Sequence, residues 1–397
     1  MSGPQPLAGI RVLDLSRVLA GPWSGQMLAD YGADVIKVER PGGGDDTRTW
    51  GPPWFGDPGD RMSAYYLSAN RGKRSIAIDL ATPEGEALVR QLAAQADVVL
   101  ENYKVGQLAK YGLDYPALSA LNPRLVYCSI TGYGQTGPYA HAAGYDFAIQ
   151  ATGGLMSVTG EKEGTPGSQP QKVGVAVADL FTGVYATTAI LAALVERGRT
   201  GRGRHIDAAL LDTQVAMMAN QASNYLVGGK VPKRIGNAHI NVVPYQVFPT
   251  RDGHMVIAIG NDGQFGRFCQ LNGAPEVASD PRFVTNEARL GHRDALSEII
   301  TAWLLTRTTL EWTTLLEPHA VPCAPILELP AVFAHPQVTE RGMQINHAGA
   351  HGSLPMIATP MRFDGLRPIA DLPPPELDQH GDAVRTALGR SPEWPTA

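Results

Sequence analysis

The sequence predicts an α/β protein, with a Rossmann-like large domain on a mostly parallel sheet and a smaller α+β domain. Three observations carry this. Short apolar runs alternate with helical patterns through the first half of the chain, as in βαβ units that cover both faces of a sheet. The 397 residues exceed what one core fills, so more than one lobe is required. Apolar residues at 44% with 18% charged match a compact enzyme rather than a disordered chain.

The first unit opens with the apolar run of GIRVLDLS as a buried strand. GPWSGQMLADYGA follows as a helix closed by glycine, and DVIKVER is the next strand. RSIAIDL is a strand, TPEGEALVRQLAAQA starts with a Thr cap and a proline before a helical period, and DVVLENY is again a strand. LVYCSITGYG is another. EKEGTPGSQPQKVG reads as an exposed loop leading into a long apolar helix, with Asp179 at the junction. NYLVGGKVPKRIGNAH is a basic connector. VPYQVF and HMVIAIG are strands joined by TRDG, and NDGQFGRFCQLNG and two helical patterns follow to about Thr306. In the tail, VPCAPIL and PMRF look strand-like and PPPELDQHGDAVRTALG ends in a short helix. The expected division is 1–224 for the large domain, 225–310 for the small one, and 311–397 returning to the large domain.

Several function classes are excluded. A formal charge of -5 with scattered Lys and Arg provides no basic field for nucleic acid. Cys128, Cys269 and Cys323 have no paired spacing, so neither a disulfide framework nor a zinc cluster is indicated. Leu19-Ala20-Gly21-Pro22 stands where a dinucleotide fingerprint would follow the first strand, which disfavours a nicotinamide enzyme. There is also no phosphate loop of the Walker type and no H-E-x-x-H helix. The opening residues lack a basic segment followed by an apolar run, and the apolar stretch after Asp179, interrupted by Thr and Gly, falls short of the roughly 18 residues a membrane span needs. A cytoplasmic protein with no membrane partner is expected.

Asp179 admits two readings from its surroundings alone. Aspartate is a favoured helix cap, and a carboxylate with an ordinary pKa of about 3.9 is also a nucleophile that needs no base. The two are compatible, because a helix N-terminus favours an anion by roughly 0.3–1 kcal/mol.

GIRVLDLSRVLAGP, GADVIKVERP, NRGKRSIAIDL, ADVVLENY, ITGYGQTGPY, GYDFAIQATGG and AVADLFTGVYATTAILAAL resemble, in that order, the successive blocks of the family III coenzyme A transferases. Within that family GDDTRTWGPP, NYLVGGKVPKRIGNAH, VVPYQVF and GNDGQF are most similar to the succinyl-CoA:glutarate branch. The resemblance implies a CoA-transferase that moves CoA from succinyl-CoA to a diacid such as glutarate, with Asp179 as the covalent carrier and Asp146 as a second acidic residue of the site. It implies no permanently bound cofactor: the coenzyme A thioester is a substrate, and an acyl-CoA and a carboxylic acid are the partners. It also implies an interlocked homodimer.

For coenzyme A it points to Val18, Leu19 and Arg40 in the first unit, and to Lys73, Asn102, Tyr103 and Lys110 further on; Leu19 replaces a Gln common in relatives. Gly263 and Gln264, in NDGQF, match the loop that covers the site in the family. A diacid's far carboxylate calls for a bidentate cation, and Arg48, Arg71, Arg234 and His239 are the candidates. Tyr145 stands where the α-methylacyl-CoA racemases of the same fold carry a His base, and a phenol of pKa about 10 does not replace that base. The alternatives at this point are such a racemase and a non-catalytic CoA-binding protein.

Overall fold

A computed structural model describes residues 3–349 and 351–396. It forms two compact units, a large one of Met1–Leu155, Val173–Ala219 and Pro336–Ala397, and a small one of Met156–Lys172 and Asn220–His335.

The large unit is built on β1 (Arg11–Asp14), β2 (Asp34–Glu39), β5 (Lys73–Ala77), β6 (Val98–Glu101), β7 (Val126–Thr131) and β8 (His205–Ala209), with a hairpin of β3 (Trp54–Asp57) and β4 (Asp60–Ser63) between the second and third. The six strands pair parallel in the order β5-β2-β1-β6-β7-β8. Strand order reverses between β1 and β6, which makes that point the expected ligand crevice of a doubly wound sheet. Val12, Val35, Val98 and Val126 face one core, and Leu13, Ile36, Val99 and Tyr127 the other. This is the alternation that a strand buried on both faces imposes.

Helix α1 (Ala20–Asp30) follows β1, and α2 (Pro83–Gln95) is capped by Thr82 and opened by proline, as its sequence predicts. A short α3 (Asp146–Thr152) precedes α4 (Val177–Thr200), which ends at Gly201 with φ 70°, a conformation that favours glycine. At 24 residues α4 is long and apolar enough to cross a membrane by length and composition, a correction to the shorter stretch read from sequence. Ala178, Ala186 and Ile190 pack into the core, while Phe181, Val184, Tyr185 and Val195 form an exposed apolar stripe.

In the small unit β9 (Tyr245–Pro249), β10 (His254–Ala258) and β11 (Cys323–Pro325) pair antiparallel in the order β11-β10-β9. They enclose a core with α5 (Asp262–Leu271), α6 (Arg293–Leu304) and α7 (Thr309–Leu316), in which Phe248, Phe268, Ile300 and Trp312 are buried. The boundaries differ from the sequence division in three places. Residues 220–224 fall in the small unit. Residues 311–335 stay with the small unit because β11 completes its sheet. Residues 156–172 join it through the main-chain bond from Glu163 to Arg234 and the Lys162–Asp294 pair.

The chain returns to the large unit with a hairpin of β12 (Gln344–Gly349) and β13 (Gly352–Ile357) and with α8 (Gly381–Arg390). PMRF forms no strand; Phe363 closes an isolated bridge with Leu366 instead.

Candidate active site

The N-terminus of α4 is closed from a distance. Its N-cap, Ala176, offers no side chain, and Asp146 supplies the missing acceptor: its Oδ1 takes the N–H of Ala178 at 2.8 Å and that of Asp179 at 3.4 Å. The N–H groups of Val177 and Leu180 go to the carbonyls of Val175 and Ala176. The N–H groups of the first three helical residues, Val177, Ala178 and Asp179, therefore each have an acceptor. Buried Gln150 orients the cap, donating to Asp146 Oδ2 at 2.7 Å and accepting from Val173 N at 2.9 Å. Close packing of two glycines, Gly132 at the end of β7 and Gly144 before α3, brings this segment in. A Cβ on either would lie 2.5 Å from the other's Cα.

Asp179 is thus not the cap, and the sequence reading that gave it that role is corrected. Its carboxylate accepts no hydrogen bond among the described residues. Burial, and then the negative charge of Asp146, push its pKa up to about 7. The ordinary carboxylate value assumed from sequence is replaced by one that lets a carboxylate both leave and attack near neutrality. Tyr65 belongs to the same locality, because burial and then the charges of Asp179 and Asp146 raise its phenol above the usual range. The ring of Trp50 meets that of Tyr65 edge-on at 5.1 Å. Neither was singled out from sequence, although Trp50 lies within the quoted GDDTRTWGPP. Tyr145 precedes the cap with an exposed ring, 69% accessible.

At the switch point between β1 and β6 lies a cavity of about 220 Å³, whose lining includes Ser16, Arg17, Arg40, Asp45, Tyr103 and Tyr111. Arg40 and Tyr103 of the predicted coenzyme residues meet there. The guanidinium groups of Arg17 and Arg40 are 51% and 65% accessible and share Asp46, at 2.7 and 3.4 Å. Lys110 is exposed on the turn that carries Tyr111.

Val18 holds φ 72°, a strained value for a β-branched residue. Asp45 pins it by accepting its N–H at 3.1 Å, while also binding Thr47 and Lys37. Burial alone would raise the pKa of Asp45, but Lys37 and Thr47 bring it down to about 2. Asn102 closes the loop from the other strand, accepting from Arg17 N and donating to Arg17 O.

Four of the predicted contacts are buried or paired within the large unit. Lys73 is fully buried, and its three donor directions are filled by Asp14 Oδ2, Pro22 O and Asn70 Oδ1, so it braces the cavity floor instead of meeting phosphate. Burial lowers its pKa to about 8. Leu19 is the buried N-cap position of α1. Arg71 makes a buried two-point pair with Asp30 and donates to Ile357 O. Arg48 is engaged twice by Glu39 and also bonds Tyr66 Oη and Pro375 O. Both guanidinium groups are held in these internal pairs. The buried ions Asp14, Lys37 and Glu39 that build this floor were not chosen from sequence, although a charge inside an otherwise apolar strand was the signal.

In the small unit, Arg234 is half-buried and its Nε has no partner among the described residues. His239 accepts from Asn241 N and packs its ring 5.1 Å from that of Tyr245. NDGQF is not a glycine loop: Asn261 caps α5 by accepting from Gln264 N, Gly263 lies in the first helical turn, and the Gln264 side chain accepts from Gly260 N.

The model for CoA-transferase family III matches residues 7–381. The chain is 53% identical over 386 residues to the succinate–glutarate CoA-transferase of Agrobacterium fabrum, covering 96% of each chain. It is 44% identical to the succinyl-CoA:glutarate CoA-transferase of Homo sapiens, over 96% of this chain and 85% of that one. Among solved structures it is similar to a CAIB/BAIF family protein from Brucella suis, at 51% identity and TM-score 0.85, covering 98% and 100% of the two chains.

Proposed function

Since the chain belongs to CoA-transferase family III, we propose that it moves CoA from succinyl-CoA to glutarate or a similar diacid through a covalent aspartyl thioester at Asp179. The observation that carries the mechanism is the half-buried Asp179 carboxylate, brought to a pKa of about 7 by desolvation and by the charge of Asp146, which caps the same helix start.

The ionised Asp179 attacks the thioester carbonyl of succinyl-CoA. The C–S bond breaks, giving an aspartyl–succinyl anhydride and the CoA thiolate. The thiolate attacks the aspartyl carbonyl and expels succinate, leaving Asp179 as its CoA thioester. The incoming carboxylate attacks that thioester and expels the thiolate, which then attacks the new acyl group and frees Asp179. One thioester replaces another, so the exchange is close to thermoneutral. A proton affinity near neutrality suits both halves, because the same group serves as nucleophile and as leaving group.

We assign the coenzyme to the switch-point cavity, with Arg17 and Arg40 toward phosphate and Tyr103 and Tyr111 as apolar walls, and with Lys110 exposed on the turn that carries Tyr111. The names of the relatives support succinate and glutarate as the acids. With Arg48 and Arg71 committed elsewhere, Arg234 is the remaining arginine candidate for the far carboxylate, with His239 beside it in sequence. A homodimer is part of the proposal, and the exposed stripe of Phe181, Val184, Tyr185 and Val195 supports it as a surface to be covered.

A panel of acids offered with succinyl-CoA tests the substrate. Formation of glutaryl-CoA at the highest kcat/KM supports the reading; faster transfer to a monocarboxylic acid, or none to any diacid, contradicts it.

A further inference from the structure

Far along the chain from Asp179, three side chains that the transferase chemistry does not use converge within the large unit. They are Asp60 at the start of β4, His351 beside the start of β13, and Glu376 on the segment before α8. One donor atom from each lies within 4.8 Å of the others. The His351 side chain is nine-tenths buried, 10% accessible, and its Nε2 has no hydrogen-bond partner among the described residues. That nitrogen faces Asp60 Oδ1 at 3.7 Å and Glu376 Oε1 at 3.6 Å.

These separations are too long for hydrogen bonds. They are close to what two donors adopt when they share an ion, since metal bonds of about 2.0–2.2 Å at near-tetrahedral angles put ligand atoms about 3.3–3.5 Å apart. A buried imidazole nitrogen left without a partner is costly, and a cation is one partner that satisfies it and both carboxylates together.

The backbone is shaped to admit the ring. Pro58 and Gly59 turn β3 into β4, Gly59 with φ 99°. At Gly56, with φ 104°, a Cβ would stand 3.1 Å from His351 Cγ and 2.6 Å from Asp60 O, so a side chain there would press on the imidazole and its neighbour. Phe55 meets the ring edge-on at 6.2 Å and walls one side. Asp57, the register partner of Asp60, adds a further negative charge to the hairpin end.

We propose that Asp60, His351 and Glu376 form a site for a divalent first-row metal of the Zn²⁺ class, tying the β3–β4 hairpin, the β12–β13 hairpin and the C-terminal segment together. One imidazole with two carboxylates is a borderline N/O donor set, which suits Zn²⁺ better than the all-oxygen preference of Ca²⁺ or Mg²⁺. Three protein ligands leave a position for water. The role is structural, and the transfer at Asp179 does not pass through it.

The test uses the full-length protein after treatment with a chelator, titrated with Zn²⁺ by calorimetry and by thermal unfolding. The wild type takes up one equivalent and its Tm rises. Glu376→Gln, a half-exposed position where the fold is retained, and His351→Ala weaken that uptake about 10-fold or more and lose the Tm response. Transferase activity of the metal-free wild type is unchanged. Stoichiometric uptake that both variants retain overturns the site, as does a wild type that binds no Zn²⁺ at about 100 µM, a weak limit for a three-ligand site. So does a stability that follows protonation of His351 with pH and ignores the metal, since that would make the cluster an imidazolium bridged by two carboxylates.

Discussion

The Oδ1 of Asp146 accepts the main-chain N–H of Asp179 at 3.4 Å, so the residue that closes the helix and the residue we propose to react are two separate carboxylates. The first occupies the helix donors and contributes a negative charge; the second, left with burial and that charge, has its pKa pushed up to about 7.

A pH dependence follows. Attack requires the ionised form, so kcat/KM for the acyl-CoA donor should rise as pH increases through about 7 and level off above it. Asp146→Asn keeps an acceptor for the helix N–H groups but removes the charge, and the midpoint should move to lower pH. Titrating both enzymes under kcat/KM conditions checks this. A midpoint that stays in place in the variant would show that Asp146 does not act on Asp179 electrostatically.

Stability gives the converse result. Asp179 binds its proton more tightly folded, at about 7, than unfolded, at the ordinary aspartate value of 3.8, so keeping it charged costs stability increasingly as pH rises from about 4 to 7. Asp179→Asn should therefore abolish turnover yet stabilise the fold at pH 8 by on the order of 1–3 kcal/mol, with little gain at pH 4. Chemical denaturation at the two pH values measures it.

Two arginines that the sequence placed together should behave differently. Arg48→Ala leaves Glu39 buried without its partner and should cost about 3–5 kcal/mol of stability, affecting both substrates alike. Arg234→Ala should leave the fold intact and raise the glutarate KM about 10-fold or more while the succinyl-CoA KM holds. Paired KM and Tm measurements distinguish them, and a normal glutarate KM in Arg234→Ala removes that residue from the substrate site.

Lys73→Met should resemble Arg48→Ala, for it strands Asp14 in the core beneath the switch-point loop. We expect a loss of about 3–5 kcal/mol. Arg40→Ala, at an exposed side chain, should instead weaken coenzyme binding with little effect on Tm. Isothermal titration with CoA and thermal unfolding of both variants test the contrast.

The parallel sheet was legible because its strands are buried on both faces and read as near-continuous apolar runs, as in RVLD and DVIKVE. The βα punctuation was equally plain: Thr82 and Pro83 open a helix and Gly201 closes one. What escaped depends on long-range pairing. Asp146 caps a helix by accepting from an N–H 32 residues later, and no local pattern links the two. Arg48, Arg71 and Lys73 read as ligand-binding cations, because their buried partners Glu39, Asp30 and Asp14 come from other strands and helices. The β3–β4 and β12–β13 hairpins are short and half-exposed, with no strong apolar alternation to mark them.

The most direct measurement is mass spectrometry of the enzyme quenched during turnover with succinyl-CoA, followed by peptide mapping, with hydroxylamine as a trap. A CoA adduct on Asp179, converted to a hydroxamate by the trap and missing in Asp179→Asn, is the predicted result. An unmodified Asp179 in an enzyme that is turning over, or an adduct on another residue, would contradict it.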